Sequence, residues 1–569
     1  MIHESLQNLV APIFCTINMQ RIYLLLFILL VVSCESPKKV DMIVHNGTIY
    51  TIDSVYRTVE AMAIRDGRIV ATGSSKKIFN DFKAEEVLDA ERKFVYPGFI
   101  DGHAHFFKYG QTLQTVDLTG TKSWEDCVER IIHFIARDST TQSRYAQKGT
   151  WIIGRGWDQN DWEIKEFPDK VALDELFKHN PVLLTRIDGH AAIANQVALN
   201  EAAIKPGTTL TGGDVEMKNG RLTGILVDNA INLVSSQIPA LSDQQNKEAL
   251  LTAQKNCFAA GLTTVDDCGL NSADVEFIKQ MQETGELKMR LYVMLSDHPT
   301  NYEYLFKKGV IKNDRLHVRS FKVYADGALG SRGACLLEPY SDKPLQSGFL
   351  LSSKDHFDSV ASKIHSSGFQ MCTHAIGDSG NRVILNIYGK YLKDKNDLRW
   401  RIEHAQVVHP FDFDLFGRYS IIPSVQPTHA TSDMYWAGDR LGKRREKVAY
   451  AFKDLMNQNG WIALGTDFPV EDISPFKTFF AAVVRKDAKG WPENGYQVEN
   501  ALSRENAMRG ITIWAAKANF EEQDKGSLEA GKFADFIILD KDLMKIANDE
   551  ILGVQVLKTF INGELVFKK

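Results

Sequence analysis

Apolar and polar positions follow two rhythms along this chain. Near both ends the rhythm has period two: DMIVHNGTIYTID and AMAIRDGRIVATGS come early, and ADFIILD and LKTFINGELVFKK come last. Alternate side chains of a strand share a face, so each stretch predicts a half-buried strand or hairpin. Asn46-Gly47, Asp66-Gly67 and Asn562-Gly563 are pairs that tight two-residue hairpins prefer. The shared character of the two ends predicts one small β-sandwich domain, built from residues 37–96 and 525–569, with residues 97–524 inserted between its parts.

In that inserted span, short apolar runs alternate with longer stretches of helical period, the pattern of a parallel α/β architecture. Candidate strands cover 96–105, 261–269, 289–296, 319–327, 369–377, 400–406, 419–426 and 461–468. Eight strands with helical connections predict a (β/α)8 TIM-like barrel, whose active site lies at the C-terminal strand ends. About 106–255 is far too long for one connection and predicts an insertion, with strands of its own at WIIGRGWD and PVLLTRIDGHAAI. An insertion on that face is placed to act as a lid.

Composition changes this picture only at the N-terminus. The chain has 569 residues, 44% hydrophobic and 24% charged, as in an ordinary soluble globular protein. A net charge of -5 with mixed signs gives no reason to expect a nucleic-acid partner. Arg21, however, is followed by IYLLLFILLVV, too short to span a bilayer but of the length of a signal-peptide core. It ends in Val31-Val32-Ser33-Cys34, which resembles a bacterial lipobox. Residues 1–36 are therefore expected to be a lipoprotein-type signal peptide and tether, with Met19 as an alternative start. Lipidation at Cys34 would make the body an exported cell-envelope protein held on a membrane surface. The five cysteines beyond the leader show no C-x-x-C spacing and no dense disulfide pattern, so they are expected to be free, mostly buried thiols.

Chemistry gathers at the expected strand ends. GFIDGHAHF offers His103 and His105 on one strand face. Chance alone gives roughly 0.4 such H-x-H triplets in a chain with this histidine content, so the pair needs company to mean anything. The company is there: Lys322 on the fourth strand, His374 on the fifth, His404 on the sixth and Asp467 on the eighth. Imidazole nitrogen and carboxylate oxygen are donors that zinc accepts, and all of these residues would line one rim.

With DGHAHF, FKVYADGALGSR, THAIGD, RIEHAQ, GTDFPV and KGSLEAGKFADFIILD in these places, the chain resembles the amidohydrolase superfamily over roughly residues 40–569. Within it, the phrases are similar to the amidohydrolase 3 group, which includes N-substituted formamide deformylase-like proteins. The resemblance implies a metal-dependent hydrolase of carbon–nitrogen bonds other than peptide bonds, acting on a small-molecule amide, formamide or cyclic amide through a metal-activated hydroxide. It implies one or two divalent ions, zinc by preference, on His103, His105, Lys322, His374, His404 and Asp467. Lys322 would be carboxylated if it bridges two ions, and Asp467 would be the general base. Less specific expectations place His190, Trp157, Asp158, Arg332 and His429 against the substrate. The alternatives are a one-metal deaminase of the same superfamily, which the missing glutamate after His374 disfavours, and a non-catalytic binding lipoprotein, which the intact ligand set disfavours.

Overall fold

A computed structural model describes residues 37–569. The expected leader and Cys34 lie outside the described residues. Among those described, no helix is long and apolar enough to cross a membrane.

The centre is a nearly closed barrel of eight parallel strands: β1 (Phe99–Ala104), β2 (Leu262–Leu270), β3 (Arg290–Ser296), β4 (Leu316–Tyr324), β5 (Gln370–Ala375), β6 (Arg401–His404), β7 (Ile422–Val425) and β8 (Ala463–Leu464). Each pairs in parallel with the next. The strands are buried on both faces, which is why they read as continuous apolar runs instead of alternating ones. The ends of β8 and β1 meet through backbone hydrogen bonds, Asp467 N to His103 O at 2.8 Å and His105 N to Phe468 O at 2.9 Å. Gly102 allows that approach, since a Cβ there would lie 2.8 Å from Leu464 O.

Helices cover the outside of the barrel for reasons visible in their sequences. In Lys354–Ser366, Phe357, Val360, Ala361 and Ile364 recur at helical spacing and are the buried residues. Ser353 caps its first turn by accepting from His356 N, and Lys363 and His365 sit near its C-terminal dipole.

Both chain ends share one six-stranded sheet, in which Phe536–Leu539 runs antiparallel to Phe94–Pro97 and to Val556–Ile561. A four-stranded sheet of Lys38–His45, Ala61–Arg65, Arg68–Gly73 and Phe82–Asp89 packs on it through Val44, Ile64, Val95, Phe536 and Phe560. Asp66-Gly67 and Asn562-Gly563 are two-residue hairpin turns with positive φ throughout. Asn46-Gly47 is not. Lys38–His45 and Thr48–Tyr50 belong to different sheets, and the pair carries the chain from one to the other.

Between β1 and β2 a second six-stranded sheet forms from Val116–Asp117, Ile152–Trp157, Val182–Arg186, Ala191–Ala194, Gly213–Lys218 and Arg221–Asp228. It has its own core around Trp157, Leu184 and Ile225. The five described cysteines are free thiols, four of them buried.

Candidate metal centre and active site

The C-terminal rim of the barrel brings His103, His105, Lys322, His374, His404 and Asp467 to the wall of one cavity or directly beneath it, in a space of about 1410 Å³ that the insertion also lines. One donor atom each from His103, His404 and Asp467 lie within 4.8 Å of one another. β1 ends at Ala104, so only His103 is in the strand, and His105 opens the helix Phe106–Thr112. The two imidazoles nevertheless converge: Asp467 Oδ1 is 3.7 Å from His103 Nε2 and 3.3 Å from His105 Nε2.

Three hydrogen bonds decide which nitrogen each imidazole offers. His103 Nδ1 is 2.6 Å from Glu403 Oε2, His105 Nδ1 is 2.8 Å from the Cys268 carbonyl, and His404 Nδ1 is 2.7 Å from Gln426 Oε1. Each of these oxygens only accepts, so Nδ1 donates and Nε2 keeps its lone pair. The lone pairs of His103 and His105 then face an Asp467 oxygen that is buried without a hydrogen-bond partner. Acceptors facing acceptors out of water need a cation between them. The Lys322 amine meets His103 from one side, Nζ to Nε2 at 3.1 Å. At the junction of His103, His105, His404 and Asp467, the nitrogen and oxygen donors fit a divalent metal.

The electrostatics hold these groups ready for a metal. Burial pushes His103 down to about 4, and it drives His374 and His404 well below the usual histidine range. Burial works to raise Asp467, yet the His105 contact and the surrounding imidazoles outweigh it and hold the carboxyl well below its ordinary value. At neutral pH His103, His374 and His404 are thus neutral imidazoles and Asp467 a carboxylate, the protonation states that metal ligation requires. Burial opposes the Lys322 ammonium too, and Tyr324, Cys268, Glu403 and Asp467 around it overcome that opposition.

Backbone conformation contributes to the convergence. His404 (φ 72°), Asp467 (φ 63°) and Asp228 (φ 50°) all occupy the left-handed region, which non-glycine residues rarely enter and which is found at functional sites. The turn at His404 lets both it and its neighbour Glu403 reach the barrel interior, where simple strand alternation would send one of them outward.

The remaining expected residues divide. His190 Nδ1 lies 2.6 Å from Asp228 Oδ1, and its ring is 5.0 Å from that of His374. Burial would lower His190, but the Asp228 carboxylate prevails and raises it. His429 stacks on His404 at 5.8 Å, with Nε2 3.5 Å from Asp467 Oδ2. Asp158 lines the cavity but is committed to an ion pair with Arg186. Trp157 does not reach the cavity: it is fully buried in the insertion, where Nε1 donates to Leu184 O at 2.8 Å and the ring packs on Trp162 and Phe167. Arg332 is also turned away, because Asp342 takes its guanidinium at 2.7 Å. Glu403, beside His404 on the sixth strand, reads from the sequence as a supporting or packing group and not a ligand, and it orients His103; the orienting parts of Gln426 and Asp228 are not legible there.

The family model described as "Amidohydrolase family" matches residues 86–567. The chain belongs to that family. It is 33% identical over 547 residues to the Protein LONG AFTER FAR-RED 3 of Arabidopsis thaliana, covering 93% of this chain and 91% of the relative. It is 25% identical over 549 residues to the N-substituted formamide deformylase of Arthrobacter pascens, covering 93% and 98%. Among solved structures, an uncharacterized metal-dependent hydrolase from Pyrococcus horikoshii superposes with a TM-score of 0.72 at 28% identity, over 89% of this chain and 99% of that one. As an amidohydrolase-family protein with a His-His-Asp cluster at the barrel rim, this chain is a metal-dependent hydrolase of a small molecule.

Proposed function

We propose that this amidohydrolase-family chain cleaves the C–N bond of a small amide, formamide or cyclic amide, with a divalent metal, zinc by preference, on His103, His105, His404 and Asp467. The observation that carries the proposal is the set of Nε2 lone pairs, fixed by acceptors on Nδ1, around a carboxylate oxygen with no other partner. The formamide deformylase relative supports the bond type. When bound, the ion supplies a Lewis acid for the scissile carbonyl and acidifies water in its reach. Asp467, ionised and unpartnered at Oδ1, takes the proton of the attacking water and returns it to the leaving nitrogen. His190, held by Asp228 on Nδ1, donates from Nε2 to the carbonyl oxygen as charge develops there. The products are a carboxylate, formate in the case of a formamide, and an amine.

His374 and Lys322 stand at the side of the cluster where a second ion would bind, with Lys322 carboxylated. Counting metal in Lys322→Ala separates the cases. Two ions per chain falling to one assigns Lys322 a bridging role, whereas one ion unchanged leaves it as the ammonium that positions His103. The leader sequence supports an exported protein anchored through a lipid on Cys34.

The test of the activity is amine release from a panel of N-formyl and N-acetyl amines and cyclic amides. Release should vanish on chelation, return with zinc, and fall by about a thousandfold in Asp467→Asn. Hydrolysis indifferent to chelation would refute the reading.

A further inference from the structure

Besides Lys322, which meets His103, the cavity wall holds two cations without a counter-ion. Lys108 lies on the helix Phe106–Thr112, three residues after His105, and is exposed to the cavity. Arg155 comes from the insertion strand Ile152–Trp157 and lines the same cavity. Among the described residues neither takes part in an ion pair, whereas Arg186 and Lys477 on the same wall do. Carboxylates are not scarce there. Asp188 is engaged by Arg186, Asp228 by His190, Asp297 by His356 and Glu471 by Ser432. Arg155 has one hydrogen bond, from Nη2 to Ile187 O at 2.6 Å, and its Nε is buried with no acceptor.

Two like charges on the wall of one cavity with unused donors are costly unless something anionic joins them. The fold takes trouble to place Arg155 there. The pairing of its strand with Val182–Arg186 shifts register between Arg155 and Trp157, a bulge of the kind that re-aims a side chain. Gly156 makes the bulge, at φ 113°, where a Cβ would lie 2.5 Å from Thr119 Oγ1. The cavity that Lys108 and Arg155 line is also lined by His105 and Asp467. The pair therefore lies within a small molecule's reach of the metal cluster.

We infer that Lys108 and Arg155 bind an anionic group of the substrate, a carboxylate or similar planar anion, while its C–N bond lies at the rim cluster. This rests on the hydrolase reading for where the bond lies, and on the free cations alone for the charge. Arg155 offers a guanidinium fork suited to a planar anion, and Lys108 adds a point charge from the barrel side of the same cavity. The substrate class is a small amide with a negatively charged end on the insertion side.

The probes are N-formyl-L-amino acids and the matching carboxamides. Binding is read from ligand-induced shifts of the unfolding temperature of the metal-replete full chain, and hydrolysis from amine release on the same samples. Carboxylates should bind at least about tenfold more tightly than carboxamides, the equivalent of one charge-assisted contact. That preference should fall towards one in the Lys108→Met/Arg155→Met double variant. Equal binding, preference for the carboxamide, failure of every carboxylate to bind, or a preference kept in the double variant would each overturn the inference. In the last case the anion sits on the metal centre. Should the double variant not fold, Lys108→Met decides: a preference reduced about threefold or more supports the inference, and an unchanged one overturns it. Carboxylate preference without hydrolysis would refute the hydrolase reading and leave the anion site standing.

Discussion

His103, His105 and His404 each have one nitrogen committed to a fixed acceptor, and this commitment shapes the site. Replacing Glu403 with Gln removes the charge behind His103 Nδ1. Metal affinity, measured by competition with a chelator, should fall about 10- to 100-fold, as when other groups behind ligating histidines are altered. An unchanged affinity would show that the contact is incidental. Acid should also act on the metal-free protein through His103. The unfolded chain takes up this proton near pH 6.5, but the folded site refuses it until about 4. The unfolded state therefore binds more protons across that window, and stability falls as pH drops through it, by up to about 3 kcal/mol for this group. Denaturant midpoints at pH 7 and pH 4.5 check the sign. At this scale the sequence was informative about which side chains gather at the rim, since His, Lys and Asp at strand ends have few other reasons to cluster. It was silent about backbone partners, because a carbonyl such as that of Cys268 has no side-chain signature. Arg332 misled for a related reason: its partner Asp342 is ten residues on, across a loop whose path no periodicity reveals.

Among the elements, the strand of Arg155 depends on a single glycine. Gly156→Ala places a Cβ against Thr119 in a backbone conformation that alanine avoids. It should cost about 1–3 kcal/mol and lower the unfolding temperature. A variant as stable as the parent would mean that the bulge is not needed. All eight barrel strands were legible, because apolar runs buried on both faces separate cleanly from helices with one apolar stripe. Their limits were less so. β8 is regular only over Ala463–Leu464, since Gly465 to Asp467 turn to close the barrel and present the carboxylate. Asn46-Gly47 has the composition of a hairpin turn yet crosses between sheets, because the choice of pairing partner lies with distant strands.

For the whole molecule, the sheet shared by both chain ends is bolted to the barrel by a buried ion pair. Arg290 at the start of β3 meets Asp535 with Nε to Oδ2 at 2.6 Å. Asp535→Ala leaves that guanidinium buried without its counter-charge and should cost about 3–5 kcal/mol by chemical denaturation. A loss below about 1 kcal/mol, the range of an exposed pair, would contradict the coupling. The joining of the two ends was foreshadowed by their common period, whereas the ion pair was not, since its partners are 245 residues apart. The central claim is that the rim of this barrel is a metal site made by His103, His105, His404 and Asp467. Its most direct test is elemental mass spectrometry of metal per chain, on protein purified without chelator, for the parent and for His103→Ala and Asp467→Ala. At least one divalent ion per chain is expected in the parent, with a clear loss in both folded variants. A metal-free parent that stays empty after incubation with zinc, or variants that keep the parent's content, would contradict the claim.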